Sequence, residues 1–366
     1  MLRKFNNHNN KMEQKIKLQN FAFKNSDKDY LPGKELVDAI EIAIALGKPL
    51  LVTGEPGTGK TKLAYWLAAT LAEQTKGAFR NKPFVFDTKS TSVASDLFYN
   101  YDAVSHFGNI QRKELMYDGP RIIRKLPGKM DEHTIEPDIQ IAEINETRKF
   151  IELRALGLAI AQTHGVNAGD LQGIRNYVAK ENDGPLEEKP MSSIVLIDEI
   201  DKAPREFPND LLSEMENYSF EFKELNRKIK RADNDCRIVT ILTSNDEKTL
   251  PNAFLRRCIF YHIDFPGTDM LLKIARLKLE ISDEDNSHDK ALKMAIEEFS
   301  KLRDKVINKK PGTVELLDWI NILYKSHDEN NKNYLQIIEG KLHPDALSHK
   351  NMGIILKTYA DLDLAK

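Results

Sequence analysis

Five short apolar runs stand out along the chain: residues 49–53 (PLLVT), 84–86 (FVF), 194–197 (IVLI), 238–242 (IVTIL) and 259–263 (IFYHI). Each is rich in β-branched or aromatic residues and too short for a helix, the pattern of strands buried on both faces. Between them the period changes. Leu36, Val37, Ile40, Ala43 and Ile44 recur at helical spacing within residues 30–46, and Leu63, Ala64, Leu67, Ala68 and Leu71 do so within residues 61–74. Strands alternating with helices predict an α/β fold built on a parallel five-stranded sheet with helices on both faces. After Pro266 the strand signals give way to a Lys-, Glu- and Leu-rich stretch, which predicts a smaller all-helical domain. The expected organisation is an Asn-, Lys- and Gln-rich flexible tail over 1–27, the α/β domain over 28–265 and the helical domain over 266–366.

The interval from Lys60 to Asp198 is too long for a minimal strand–helix–strand walk. The excess, around residues 101–190, reads as an insertion projecting from the core. Charged, glycine-bearing stretches there flank a helical run at 153–160 (LRALGLAI).

Composition narrows the function classes. The net charge of −2 draws no nucleic acid by a global field. Basic clusters at 121–125 (RIIRK) and 227–231 (RKIKR) read as solvated faces. No apolar run approaches the roughly 18 residues that span a bilayer, and the polar first ten residues lack the apolar core of a signal peptide. Two isolated cysteines, Cys236 and Cys258, support neither a zinc site nor a disulfide framework and point to a reducing cytoplasm. His106, His133, His164 and His262 show no metal-ligand spacing, and Trp66 and Trp319 read as packing residues.

The chemistry concentrates at the ends of the predicted strands. Residues Gly54, Glu55, Pro56, Gly57, Thr58, Gly59, Lys60 and Thr61 fit the pattern G-x-x-x-x-G-K-[ST], preceded by a strand and followed by a helix. The glycines let backbone N–H groups face a phosphate at the helix N-terminus, where the dipole already favours anions. In such a loop Lys60 reaches the β- and γ-phosphates and Thr61 binds Mg²⁺. A second strand ends in Asp198 and Glu199, suited respectively to holding Mg²⁺ and to polarising an attacking water. Asn245 ends the next strand and can orient that water, although Asn after a strand also serves turns. Arg256 and Arg257 precede the last strand, where a neighbouring subunit's nucleotide could meet them.

Taken in order, GEPGTGKT at 54–61, IVLIDE at 194–199, Asn245 and LRRC at 255–258 resemble the AAA+ superfamily. Its MoxR-like branch is the nearest in phrasing, through LGKPLLVTGEPGTGKT, SDLFYNYDAVSHF at 95–107 and IDEIDKAPREFPNDLLSEMENYSFEF at 197–222. The resemblance spans roughly residues 30–330. It implies an ATPase that assembles into a ring, commonly a hexamer, with ATP and Mg²⁺ bound between subunits. Lys60 and Thr61 then bind phosphate and Mg²⁺, Asp198 helps hold the metal, Glu199 is the base, Asn245 is sensor 1, and Arg257 is the finger with Arg256 beside it. It further implies a chaperone-like role on a protein client, often with a partner bearing a von Willebrand factor A domain. The family's helix-2 insertion accounts for the extra residues, and its hairpin before sensor 1 corresponds to residues around 218–225. The sequence departs from many relatives at the lid helix. There KKPGTVELLDW at 309–319 holds Glu315 where an arginine is common, and Thr313 reads as its N-cap. A nucleic-acid motor of McrB-like type is the alternative, and a nucleotide-gated scaffold is disfavoured by the intact Asp198 and Glu199.

Overall fold

The computed structural model describes residues 29–116, 146–165, 168–175, 177, 186–282, 288–306, 309–326, 333–338, 341–358 and 360–361. The chain divides into two compact units, Ser26–Leu277 with Pro311–Val314, and Lys278–Lys310 with Glu315–Lys366. The basic cluster at 121–125 and His133 lie outside the described residues.

The first unit is built on five parallel strands: β1 (Leu50–Gly54), β2 (Phe84–Asp87), β5 (Ser193–Asp198), β8 (Ile238–Ser244) and β9 (Ile259–Ile263). Their order across the sheet is β2-β5-β8-β1-β9. These are the five apolar runs of the sequence. Because all pairings are parallel, the register (Asp87 opposite Asp198, Ile197 opposite Leu242, Thr53 opposite Ser244, Gly54 opposite Ile263) brings every carboxyl-terminal strand end to one edge.

Alternate residues feed two apolar layers, as the period-two geometry of strands requires. Leu51, Val195, Ile197 and Leu242 face one; Leu50, Val52, Ile194, Leu196 and Ile241 face the other. Helices α1 (Lys34–Leu46) and α2 (Lys60–Gln74) cover the second layer through Leu36, Ile40, Ala43, Leu63, Ala64 and Leu67. On the first layer lies a short ladder of β3 (Tyr99–Tyr101) with β4 (Ile151–Leu153); the helix α3 (Ala103–Met116) that follows β3 leaves Val104 and Phe107 exposed. Helix α4 (Ala155–Gln162), helix α5 (Phe207–Asn217) and the antiparallel hairpin of β6 (Ser219–Phe222) and β7 (Arg227–Lys230) complete that side. In β7 only Ile229 is buried, so Arg227, Lys228 and Lys230 are the solvated face expected of that cluster. A single helical turn, α6 (Asn252–Leu255), precedes β9, and α7 (Thr268–Lys278) follows it.

One expectation fails here. The sequence places the helical run at 153–160 within a projecting insertion, yet α4 packs against β2 and β5. Ala155, Leu156, Gly157, Ala159 and Ile160 are all buried. Its sequence is apolar all round, which a solvated projection cannot tolerate. Gly157 permits the closest approach: a Cβ there would stand 1.9 Å from the carbonyl oxygen of Phe98.

The second unit holds α8 (Asp289–Lys305), most of α9 (Thr313–Lys325), a two-residue ladder of β10 (Ile337–Ile338) and β11 (Lys341–Leu342), and α10 (His349–Ile355). Leu292, Ile296, Phe299, Leu316, Trp319, Ile320 and Leu323 are buried. Trp319 packs as expected, its Nε1 donating to the Ala346 carbonyl at 3.2 Å. Thr313 does not cap α9. It is the helix's first residue, and its hydroxyl is buried without a hydrogen-bond partner among the described residues. Glu315 does occupy the first turn.

Candidate active site

The loop from Gly54 to Thr61 turns between β1 and α2 through three left-handed glycines, Gly54 at φ +147°, Gly57 at +84° and Gly59 at +90°. At Gly54 the need is steric as well: a Cβ would stand 2.6 Å from the Ile263 carbonyl oxygen on β9. The Tyr30 ring lies over Gly59 and packs against Trp66, centroids 6.0 Å apart. Gly57 lies against the backbone of Gly312 and Thr313. Thr58 closes the turn by donating its hydroxyl to the Glu55 carbonyl at 2.8 Å. No side chain caps α2, which leaves its first-turn N–H groups for an anion. Lys60 is buried and donates to the carbonyls of Gly54 at 2.7 Å and Glu55 at 2.9 Å.

The acids converge on the same edge. Thr61 Oγ1 donates to Asp198 Oδ2 at 2.9 Å. The other oxygen, Oδ1, accepts from the Thr243 hydroxyl, which itself accepts the backbone N–H of Glu199 at 2.8 Å. Glu199 sits at φ +54°, a left-handed turn unusual for glutamate. Its Oε1 accepts from Asn245 Nδ2 at 3.1 Å, and Lys202 Nζ pairs with Oε2. Asn245, which sequence leaves between water orientation and turn chemistry, thus touches the candidate base directly.

Burial lowers the proton affinity of Lys60, and the carboxylates of Asp198, Asp201, Asp246 and Glu199 oppose that shift. The hydrogen bond to Glu199 raises the Lys202 ammonium. A hydroxyl and a carboxylate side by side, Thr61 and Asp198, form the hard oxygen pair that Mg²⁺ takes alongside waters and phosphate. Uncapped N–H groups, a buried lysine and this oxygen pair at one strand edge fit Mg²⁺ and a nucleoside triphosphate.

The arginines stand apart. Both are exposed. Arg257 Nε donates to Glu216 Oε1 at 3.0 Å and Nη1 to the Ala253 carbonyl at 3.4 Å.

Sequence reasoning missed three residues here: Thr243, Asp201 and Lys202. Threonine inside an apolar strand signals only β-propensity, and two further charges after an acid pair read as surface. His262 pairs with Thr53 Oγ1 at 2.8 Å and lies 3.9 Å from Asp246, so it closes the β1 and β9 strand ends. Among the described residues no group of three or more His, Cys, Asp or Glu is arranged to hold a metal by itself.

Comparison with known proteins supports the class. Residues 138–266 match the family model "ATPase family associated with various cellular activities (AAA)". The matched span contains Asp198, Glu199, Asn245, Arg256 and Arg257 and begins downstream of the loop at 54–61. No curated protein matches the sequence. Among solved structures, "Structure of C. elegans PCH-2" is similar with 16% identity and a TM-score of 0.37, covering 90% of this chain and 66% of that one. The chain thus spans just under two thirds of that protein's length, and at that score the likeness carries no functional inference. The five parallel strands, in the order β2-β5-β8-β1-β9, form an α/β core whose residues 138–266 match the AAA family model, and a further, mainly helical unit accompanies it.

Proposed function

We propose that this protein hydrolyses ATP as a MoxR-like AAA+ machine and uses the cycle to remodel or assemble a protein partner. The observation that carries the reading is the convergence of Lys60, Thr61, Asp198, Glu199 and Asn245 at one sheet edge, with Asn245 bonded to Glu199 and Thr61 to Asp198. In this reading the loop glycines and Lys60 bind the phosphates, and Thr61 with Asp198 would hold Mg²⁺. Bound Mg²⁺ would neutralise charge on the β- and γ-oxygens. Glu199 accepts the proton of the attacking water while Asn245 fixes its carboxylate. Arg257, with Arg256 beside it, reaches the nucleotide of a neighbouring subunit in a ring, a hexamer by family resemblance. The client is a protein, with a von Willebrand factor A domain partner as the resemblance suggests.

Phosphate release from ATP and Mg²⁺ tests the enzymology. Lys60→Ala is expected to abolish it. Glu199→Gln is expected to slow it by about 10²–10⁴-fold, the usual worth of a general base, while nucleotide still binds. Unchanged turnover in Lys60→Ala would refute the site. Glu199→Gln protein held in ATP should then retain a specific protein from its native extract. The second reading is a nucleic-acid motor, for which the exposed Arg227, Lys228 and Lys230 of β7 would be the contact to test. Recovery of nucleic acid that is lost as salt rises would put that reading first.

A further inference from the structure

We infer that Asp201 is a positioning residue for hydrolysis, holding Asn245 against Glu199, an inference that rests on Glu199 being the base. After Asp198 the chain makes the left-handed turn at Glu199 and a single 3₁₀ turn, Ile200–Lys202. That reversal carries the Asp201 carboxylate under the loop that follows β8. Asp201 is 2% exposed. Its Oδ2 accepts the backbone N–H of Asn245 at 3.1 Å and of Glu247 at 3.0 Å. Those bonds bracket Asp246, itself left-handed at φ +59°.

The consequence reaches the base through Asn245. Its backbone is held by Asp201 while its side chain donates to Glu199 Oε1 at 3.1 Å. Asp201 and Glu199 are two residues apart, so the turn after β5 grips the Asn245 loop at both its backbone and its side chain. Apart from Asp201, the bonds shown for this loop are Asp246 N to Ser244 Oγ at 3.0 Å and Lys248 Nζ to the carbonyls of Lys202 at 3.2 Å and Ala203 at 3.4 Å. None of these fixes the Asn245 backbone.

The chemical identity of Asp201 also points to this role. Its second oxygen, Oδ1, is buried without a hydrogen-bond partner among the described residues. A buried carboxylate oxygen left unpaired is unfavourable, so packing alone gives no reason for an acid here. What an ionised acceptor offers is a stronger hold on two N–H groups at once.

A double-mutant cycle on kcat for ATP hydrolysis tests the inference, using Asp201→Ala, Asn245→Ala and the double variant of the full chain. Asp201→Ala is expected to lower kcat by about tenfold or more, with KM for ATP changed less than about twofold, as for an interaction that matters in the transition state. In the Asn245→Ala background the same change is expected to cost less than about twofold, because groups acting as a unit are not additive. A merely structural role would lower kcat by the same factor in both backgrounds. That result, or an Asp201→Ala kcat within about twofold of wild type, overturns the inference. Should Asp201→Ala not fold, Asp201→Ser, too short to reach both N–H groups, carries the same cycle under the same two criteria. Glu199→Gln run alongside separates the failures. If it hydrolyses ATP within about tenfold of wild type, the reading of Glu199 as the base is wrong. If it is slower than that and the cycle is additive, only the role of Asp201 is wrong.

Discussion

The two halves of the candidate site differ in how they are held. At the ends of β5 and β8, Asp198, Glu199, Asp201, Thr243 and Asn245 are cross-linked by hydrogen bonds within the chain, and Thr243 and Asp201 are buried. At the end of α6, Arg256 and Arg257 are exposed, and among the described residues Arg257 meets Glu216 and a carbonyl of its own turn. The first half is assembled by folding. The second is a pair of cations on a surface, where an isolated ion pair contributes little. Residues that a fold satisfies internally act where they stand.

That contrast can be broken experimentally. The largest effect is expected from Arg257→Ala, a loss of about 10³-fold or more in kcat if the arginine serves a neighbour's nucleotide. Mixing Arg257→Ala with Glu199→Gln protein should restore measurable phosphate release. Each variant is strongly impaired alone, yet their shared interfaces pair an intact base with an intact arginine. No recovery on mixing would mean that both residues act in the same subunit.

Next comes Thr243→Val, which keeps the shape but strips Asp198 and the Glu199 N–H of a buried partner. It is expected to reduce folding stability by about 1–3 kcal/mol, read from denaturant unfolding. A neutral result would show that the acid half is less tightly bound than its geometry suggests.

A smaller effect concerns Cys258, which follows the exposed arginines yet is buried. Burial pushes its thiol from 9.0 up to about 12. The folded state therefore keeps a proton that the unfolded state releases, so this contribution is full below pH 9.0 and is lost as pH rises toward about 12. The melting temperature of Cys258→Ala should fall less steeply than that of wild type across that window, whatever its absolute value. Equal slopes would mean that the thiol is solvated.

Smallest is Glu216→Ala. The pair it forms with Arg257 has both side chains more than half exposed. Its loss should change stability by less than about 1 kcal/mol. A larger change would mean that the arginine half is built into the fold after all.

Much of this was legible in the sequence. The five strands, α1, α2 and the phosphate loop follow from local signals: β-branched apolar runs, helical periodicity, and glycines where φ must be positive. The pairing of Asp198 with Thr61, and of Asn245 with Glu199, was legible only as shared roles inferred from motif and strand-end chemistry, since nothing in the spacing states which side chains touch. The helix at 155–162 was misjudged because a long interval between motifs resembles an insertion, and only its burial reveals it as part of the core. By itself, then, the sequence determined the elements and the residue types able to do phosphate chemistry, because those depend on neighbours a few positions away. The tertiary structure decided that Thr243 bridges Asp198 to Glu199 and that Asp201 grips the Asn245 loop. Those contacts join residues more than forty positions apart, and they exist only because parallel strand order brings their ends to one edge.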